Sequence, residues 1–309
     1  MLINDTWIIS QRGPRNRVNA LEPYGWLVEK ELQMNGIADD VAVIFLTNNE
    51  CPFHCLMCDL WKNTLDQPLK PGMIPAQVEF ALKQLPPAKH IKLYNSGSFF
   101  DPRAIPPEDY GEIAAVLAGF DTVIVESHPA FIGENCLKFK ELLKPELQVA
   151  MGLETADDEL LRKLNKKMTT TDFIHAVEFL LVNDILSRAF ILLNPPFVDE
   201  KEGIRQAKSS VEFAFSIGVE CSTIIPVRGG NGIMEILYEQ GLFSIPEISS
   251  LEEVVEYGLS LKMGRVFADL WDLRLFSQCS SCFEERRSRL NAMNLYQCCA
   301  EKVKCHCNL

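Results

Sequence analysis

Along this chain, short continuous apolar runs alternate with longer stretches in which apolar positions recur every three or four residues. The first kind occupies residues 41–47, 90–94, 122–126, 148–153, 187–193, 220–225 and 265–270. The second occupies 75–85, 107–117, 134–143, 171–183, 201–217 and 251–261. A run such as Val41-Ala-Val-Ile-Phe-Leu-Thr47 has no polar face, which suits a strand covered on both sides. The three-to-four spacing predicts helices that lay one apolar stripe against that sheet. Proline marks the seams: Pro86-Pro87 closes the first helical stretch, and Asn194-Pro-Pro196 stops a strand. Repeated exchange of strand and helix implies an α/β fold with a parallel sheet. Right-handed crossovers then leave either an open doubly wound sheet or a closed or partial barrel. In each case ligands gather at the carboxyl ends of the strands. The polar and glycine-bearing segments fall there: a cysteine loop after residue 47, Asn95-Ser-Gly-Ser98, Glu126-Ser-His128, Glu154, Asn194 and Arg228-Gly-Gly-Asn-Gly232.

Composition narrows the class. The 309 residues are 47% apolar and 23% charged, which suits a folded chain of one large or two small domains. Thirty Lys and Arg stand against 42 Asp and Glu, a formal balance of −12 that argues against broad, non-specific nucleic-acid binding. Two local basic patches, Arg12-Gly-Pro-Arg-Asn-Arg17 and Arg286-Arg287-Ser-Arg289, could grip phosphates or lie on a solvated surface. No apolar run approaches the roughly 18 residues that span a bilayer. The first residues carry Asp5, Arg12, Arg15 and Arg17 with no apolar signal core, so a cytoplasmic protein with no membrane contact is expected. The expected organisation is an N-terminal extension over 1–39, a core over 40–276 and a cysteine-rich extension over 277–309. The last boundary falls where the apolar pattern gives way to cysteines and charge.

Eleven cysteines are too many to ignore, and disulfides do not suit the expected compartment. Cys136 and Cys221 stand alone and read as small buried hydrophobes. Three others form Cys51-Pro-Phe-His-Cys55-Leu-Met-Cys58, directly after the first strand. Thiolates in this C-x3-C-x2-C spacing can hold three irons of a cubane cluster from one loop, which leaves the fourth iron open. A zinc knuckle using His54 or a distant ligand is the alternative, although zinc sites prefer paired cysteines with a second pair farther on.

The spacing and its place after strand one resemble the radical SAM superfamily over roughly residues 40–275. That resemblance implies a partial (β/α)6 TIM-like barrel with a small cysteine-rich C-terminal extension. It also implies a 4Fe-4S cluster on Cys51, Cys55 and Cys58, with S-adenosylmethionine chelating the open iron. Reductive cleavage of its sulfonium bond would then give a 5′-deoxyadenosyl radical that abstracts a hydrogen atom, with the electron from a donor such as flavodoxin or ferredoxin. By the same resemblance, Asn95, Ser96 and Gly97 hold the methionyl ammonium, and Glu126 meets the ribose hydroxyls or the methionyl group. Glu154 lies near the ribose, and Lys166 pairs with the methionyl carboxylate. Two departures stand out: Met57 replaces a commonly aromatic residue, and Asn95–Ser98 lacks the usual glycine pair and acid. Residue by residue, solvated or capping carboxylates at Glu126 and Glu154, and a solvated face at Lys166-Lys167, are the alternatives. Arg228–Gly232 could bring backbone close to adenine or be a plain turn.

Within the superfamily, Tyr94-Asn-Ser-Gly-Ser-Phe-Phe-Asp-Pro102 and Val123-Ile-Val-Glu-Ser-His-Pro129 look similar to the archaeosine synthase radical-SAM subunit and to the Elongator catalytic subunit, which act on tRNA. The acidic balance instead favours a small-molecule or peptide substrate. A non-catalytic iron–sulfur or zinc protein is the alternative of another class, but it leaves the strand-end polar positions without a purpose. From residue 279 onward, Cys279-x2-Cys282 and Cys305-His-Cys307 could form a second metal site around a short helix over 284–294. Cys298 and Cys299 are further candidates. Zinc and an auxiliary iron–sulfur cluster both fit that spacing.

Overall fold

The alternation builds one curled sheet in the computed structural model, which describes residues 3–308. Its strands are β1 (Gly25–Leu32), β2 (Ala38–Leu46), β3 (His90–Asn95), β4 (Thr122–Glu126), β5 (Glu146–Glu154), β6 (Leu186–Leu193), β7 (Cys221–Pro226) and β8 (Arg265–Ala268). Their order across the sheet is their order along the chain. Strand β1 runs antiparallel to β2, and β2 to β8 run parallel. Every crossover therefore steps to the adjacent strand in one direction. A doubly wound sheet reverses direction midway, so the topology is that of a partial barrel.

The curl is visible in one contact. Glu31 on β1 accepts hydrogen bonds from Arg188 on β6 at 2.5 and 3.0 Å, across four intervening strands. Lys92 on β3 joins them, donating to Glu31 at 2.5 Å and Glu29 at 2.6 Å. Alternate residues face the other way: Ile91 and Leu93 are buried with Val78 and Ala81 of the covering helices. Burial opposes the charge on Glu31, but Arg188 and Lys92 outweigh it and hold the carboxyl well below its usual range. Strand β1 lies within the stretch expected as an extension. All eight of its positions pair with β2.

The covering helices are α1 (Asp5–Ser10), α2 (Met73–Leu82), α3 (Tyr110–Val116), α4 (Glu134–Leu142), α5 (Asp158–Lys163), α6 (Thr170–Val182), α7 (Glu200–Ser216), α8 (Ile233–Glu239), α9 (Ile248–Leu261) and α10 (Phe283–Tyr296). The main core includes Cys136, while Cys221 is buried on β7, as expected for small hydrophobes. A second apolar cluster joins Ile8 of α1, Leu160 of α5 and Leu237 of α8 to Leu56 of the cysteine loop. No helix among the described residues is long and apolar enough to cross a membrane.

Candidate active site

The cysteine loop leaves β2 and is fastened from three sides. Leu56 is fully buried in the second apolar cluster, a contribution of about 1.5–3 kcal/mol. Its N–H donates to the Leu164 carbonyl at 2.9 Å. The Asn165 amide donates to the His54 carbonyl at 2.7 Å, and the Asn231 amide donates to the Leu56 carbonyl at 2.8 Å. Asn231 is 3% exposed, and its Oδ1 accepts from the N–H groups of Ile233 and Met234 at the start of α8. Thus Arg228–Gly232 is no loose turn.

So held, Cys51, Cys55 and Cys58 are near enough to repel one another electrostatically. Burial is the larger influence and pushes all three thiols up, Cys51 to about 12. Poorly solvated thiols in one loop favour a cation that takes up their thiolates. The described residues hold one group of three or more possible ligands whose atoms all lie within 4.8 Å, and it is not this trio. The loop thiols thus span a wider space than a single tetrahedral ion draws together, and His54 instead lies near Glu50 at 3.6 Å and Asp5 at 3.9 Å.

The neighbouring strand ends converge on the same place. Glu154 ends β5 at φ 64°, after a shift of register between Gly152 and Glu154, and this bend swings its carboxylate inward. Lys166 donates to it at 2.6 Å; both residues are less than a tenth exposed. A side chain at Gly152 would strike the carboxylate at 2.3 Å and the ammonium at 2.6 Å, so the pair requires glycine there. Burial disfavours the Lys166 charge, but Glu154 and the thiols of Cys55 and Cys51 more than offset it and raise the ammonium above its usual range. Lys166 and Lys167 separate: Lys166 points into the site, and Lys167 lies 3.5 Å from Asp5 outside it.

Glu126 ends β4 in the field of both partners. Burial dominates, aided by Glu154 and opposed by Lys166, and pushes its carboxyl up to about 8. Asn95 is 1% exposed, and neither its Oδ1 nor its Nδ2 has a partner. Its amide is thus left with both donor and acceptor capacity at the end of a strand. Ser96 donates its N–H to Asn48 at 3.0 Å, and a Cβ at Gly97 would sit 3.6 Å from that of Cys51. Three residues not expected as site residues tie these parts together. They are the two asparagine braces and His128, whose ring stacks on Phe53 at 4.0 Å. His128 Nδ1 accepts from Ala130, so Nε2 carries the hydrogen and donates to the Lys166 carbonyl at 3.1 Å. Burial, then Lys166, keeps His128 neutral, down to about 3. The Ser-His-Pro after strand four was its only signal in the sequence.

At the other end of the chain, Cys279, Cys282, Cys305 and Cys307 form the group with ligand atoms within 4.8 Å. Cys298 and Cys299 lie outside it; Cys299 contacts the Glu256 carbonyl at 3.6 Å. The two basic patches are largely spent inside the molecule. Arg12 and Arg15 pair with Glu50, and Arg15 also with Asp66. Arg286 and Arg289, at 3% and 5% exposure, pair with Glu252, and Arg289 also with Glu256. Of the six arginines in the two patches, these four pair with carboxylates of the chain itself.

The arrangement suits a 4Fe-4S cluster with a bound polar cofactor: three spread thiols, a buried ion pair and an unpartnered amide. No family model matches the chain. It is 26% identical over 240 residues to archaeosine synthase subunit beta of Methanosarcina acetivorans, covering 72% of this chain and 68% of that one. Identity to the subunit of the same name from Thermococcus kodakarensis is 32% over 177 residues, 53% of each chain. An uncharacterized protein of Methanocaldococcus jannaschii is 28% identical over 214 residues, 65% of this chain and 59% of that one. The chain therefore spans between about half and two thirds of the length of these relatives. Among solved structures, Elp3 of Methanocaldococcus infernus has a TM-score of 0.53 at 16% identity, covering 82% of this chain and 63% of that one. Methylornithine synthase scores 0.51 at 16% identity, covering 72% and 64%. These two likenesses bear on the fold alone. In sequence, the chain is similar to the archaeosine synthase beta subunits, and in fold to Elp3 and methylornithine synthase.

Proposed function

We propose that this chain is a radical SAM enzyme that modifies a tRNA base together with a partner subunit. Cys51, Cys55 and Cys58 hold the 4Fe-4S cluster. Asn95, Ser96, Gly97, Glu126, Glu154 and Lys166 hold S-adenosylmethionine. When bound, the two groups supply an electron and a sulfonium whose reductive cleavage starts hydrogen abstraction. The protein's part is to bind, orient and keep water out. Lys166 offers positive charge to a carboxylate while Glu154 fixes its position. Asn95 gives an amide donor and acceptor that nothing else claims. Glu126, protonated near neutrality, donates a hydrogen bond to a hydroxyl at no charge cost.

The observation that carries this reading is the convergence of three loop thiols, the buried Lys166–Glu154 pair and the unpartnered Asn95 on one set of strand ends. The tRNA and the partner rest on the names of the beta-subunit relatives. Internal pairing of Arg12, Arg15, Arg286 and Arg289 supports giving the phosphate contacts to that partner. The balance of −12 favours a second reading, hydrogen abstraction from a small molecule or peptide. Anaerobic reconstitution with iron and sulfide, then reduction in the presence of S-adenosylmethionine, tests the chemistry: 5′-deoxyadenosine should appear. A full cluster without that product would leave only a cluster carrier. Salt titration of tRNA binding tests the substrate. Phosphate contacts predict a steep loss of affinity when the partner is present and little binding without it. Salt-insensitive binding, or none with the partner, would move the assignment to the second reading. Flavodoxin or ferredoxin is the electron donor to try first.

A further inference from the structure

The four C-terminal cysteines play no part in that chemistry, yet they are the most tightly drawn set of ligands among the described residues. We propose that Cys279, Cys282, Cys305 and Cys307 bind one zinc ion, and that this ion pins α10 against the open edge of the barrel. Sulfur separations decide between one ion and a cluster. Cys279 and Cys305 are 3.7 Å apart, Cys282 and Cys307 are 3.6 Å apart, and all four lie within 4.8 Å. Four sulfurs at about 2.3 Å from one tetrahedral ion stand about 3.8 Å from one another. Thiolates of a 4Fe-4S cluster each sit on a separate iron and are held farther apart. A disulfide needs about 2.05 Å between sulfurs, which neither contact approaches. An all-thiolate tetrahedron selects zinc over the harder divalent ions.

The surrounding chain is shaped to close this site. Cys282 is the residue before α10, so the first pair is fixed at the start of a helix. The second pair returns alongside that helix, and the buried Arg289 guanidinium steers it by donating to the carbonyls of Ala300 at 2.8 Å and Glu301 at 2.8 Å. At its far end, α10 covers the last strand. Asn294 accepts from the Ala268 N–H at 2.8 Å and donates to the Ala268 carbonyl at 2.9 Å. Gln297 does the same for Val266, at 2.6 and 2.8 Å. Two side chains thus stand in for a ninth strand and leave β8 without a free edge there. The segment is too small for a core of its own, so an ion that ties its two ends together fixes the helix in place.

The test uses the full chain with Cys51, Cys55 and Cys58 replaced by Ser, so that loop iron cannot confuse the count. Elemental analysis should find one zinc per chain and no sulfide-bearing iron. Adding Cys279→Ser and Cys305→Ser should lower zinc at least tenfold, while Cys298→Ser with Cys299→Ser should leave it unchanged. Because the first pair of changes could also unfold the tail, zinc is in addition stripped from the folded parent by a chelator and then restored. Hydrogen exchange at the Val266 and Ala268 amides should quicken at least tenfold on stripping and recover on restoration. Iron with sulfide in place of zinc, zinc that survives loss of Cys279 and Cys305, or exchange that ignores the metal would each overturn the proposal. None of these results bears on the cysteine loop, so the two assignments fail separately.

Discussion

The two cysteine groups of this chain differ in what their neighbours are doing. The C-terminal set is complete in itself: four sulfurs face one another, and nearby arginines are paired with Glu252 and Glu256. The loop set supplies three, spread apart, with a buried ion pair and an unpartnered amide close by. A ligand set that satisfies itself leaves no coordination position for a guest. One that stops short, beside polar groups that nothing in the protein satisfies, is prepared for a guest.

The sharpest way to break this comparison is to replace Cys55. Cys55→Ala removes one of the three proposed anchors, and 5′-deoxyadenosine formation by the reconstituted protein should fall at least a hundredfold. Loop iron should be lost as well, while the C-terminal metal content stays the same. Product formed at the parent rate would show that the cluster lies elsewhere.

A smaller effect is expected at Lys166. Lys166→Met leaves Glu154 buried without its counter-charge, a change that costs about 3–5 kcal/mol when a buried pair is broken. Glu154→Gln in the same chain should return much of that loss, because the stranded charge is gone. Denaturation midpoints of the parent, the two single variants and the double variant measure the coupling. Simple additivity would mean that the pair is not a unit in solution. On the proposed function, binding of S-adenosylmethionine should nevertheless stay weak in the double variant, which lacks the cation proposed for the cofactor's carboxylate.

Asn231→Ala comes next. It removes the donor to Leu56 and the acceptor for Ile233 and Met234, and should destabilise by about 1–3 kcal/mol. Its distinctive sign should be faster loss of the cluster under mild oxidation, since the loop is less firmly held. Equal cluster lifetimes in variant and parent would reduce Asn231 to an ordinary capping residue.

What the sequence made legible follows the same division between local and distant causes. Thr122–Glu126 is the strand its apolar run predicts, and the other parallel strands lie within three residues of expectation at each end, because a buried strand is marked by its own side chains. Strand β1 was not legible: Glu29 and Glu31 find their partners, Lys92 and Arg188, only far along the chain. The cysteine trio could be read from spacing alone. For Lys166 the resemblance implied a site residue and the sequence left a solvated face open beside it; only the fold separates it from Lys167. The braces of the loop were invisible for a simple reason: Asn231 acts 175 residues away from Leu56, and Asn165 acts 111 away from His54. For the arginine patches the sequence left a phosphate grip and a solvated surface both open, since charge density in sequence says nothing of carboxylates that fold in beside it.

The smallest expected effect concerns protons in the loop site. Glu126 titrates at about 8 in the folded chain against an ordinary 4.5, chiefly through burial. Between those values the folded state holds a proton that the unfolded state has released. The contribution of this group to stability therefore falls as pH rises from about 4.5 to about 8, and levels off above. His128 acts in the opposite sense at lower pH. Buried and neutral down to about 3 against an ordinary 6.5, it lets stability rise with pH across that interval and contributes no slope beyond it. From pH 6.5 to 8, then, Glu126 acts without His128. Glu126→Gln keeps the shape and removes the titration. In the cluster-free protein, the gap in melting temperature between this variant and the parent should widen in the variant's favour across that window. Other groups that titrate there are common to both chains and drop out of the difference. A constant gap would mean that Glu126 is ionised like a surface carboxylate, which would take away its role as a neutral hydrogen-bond donor.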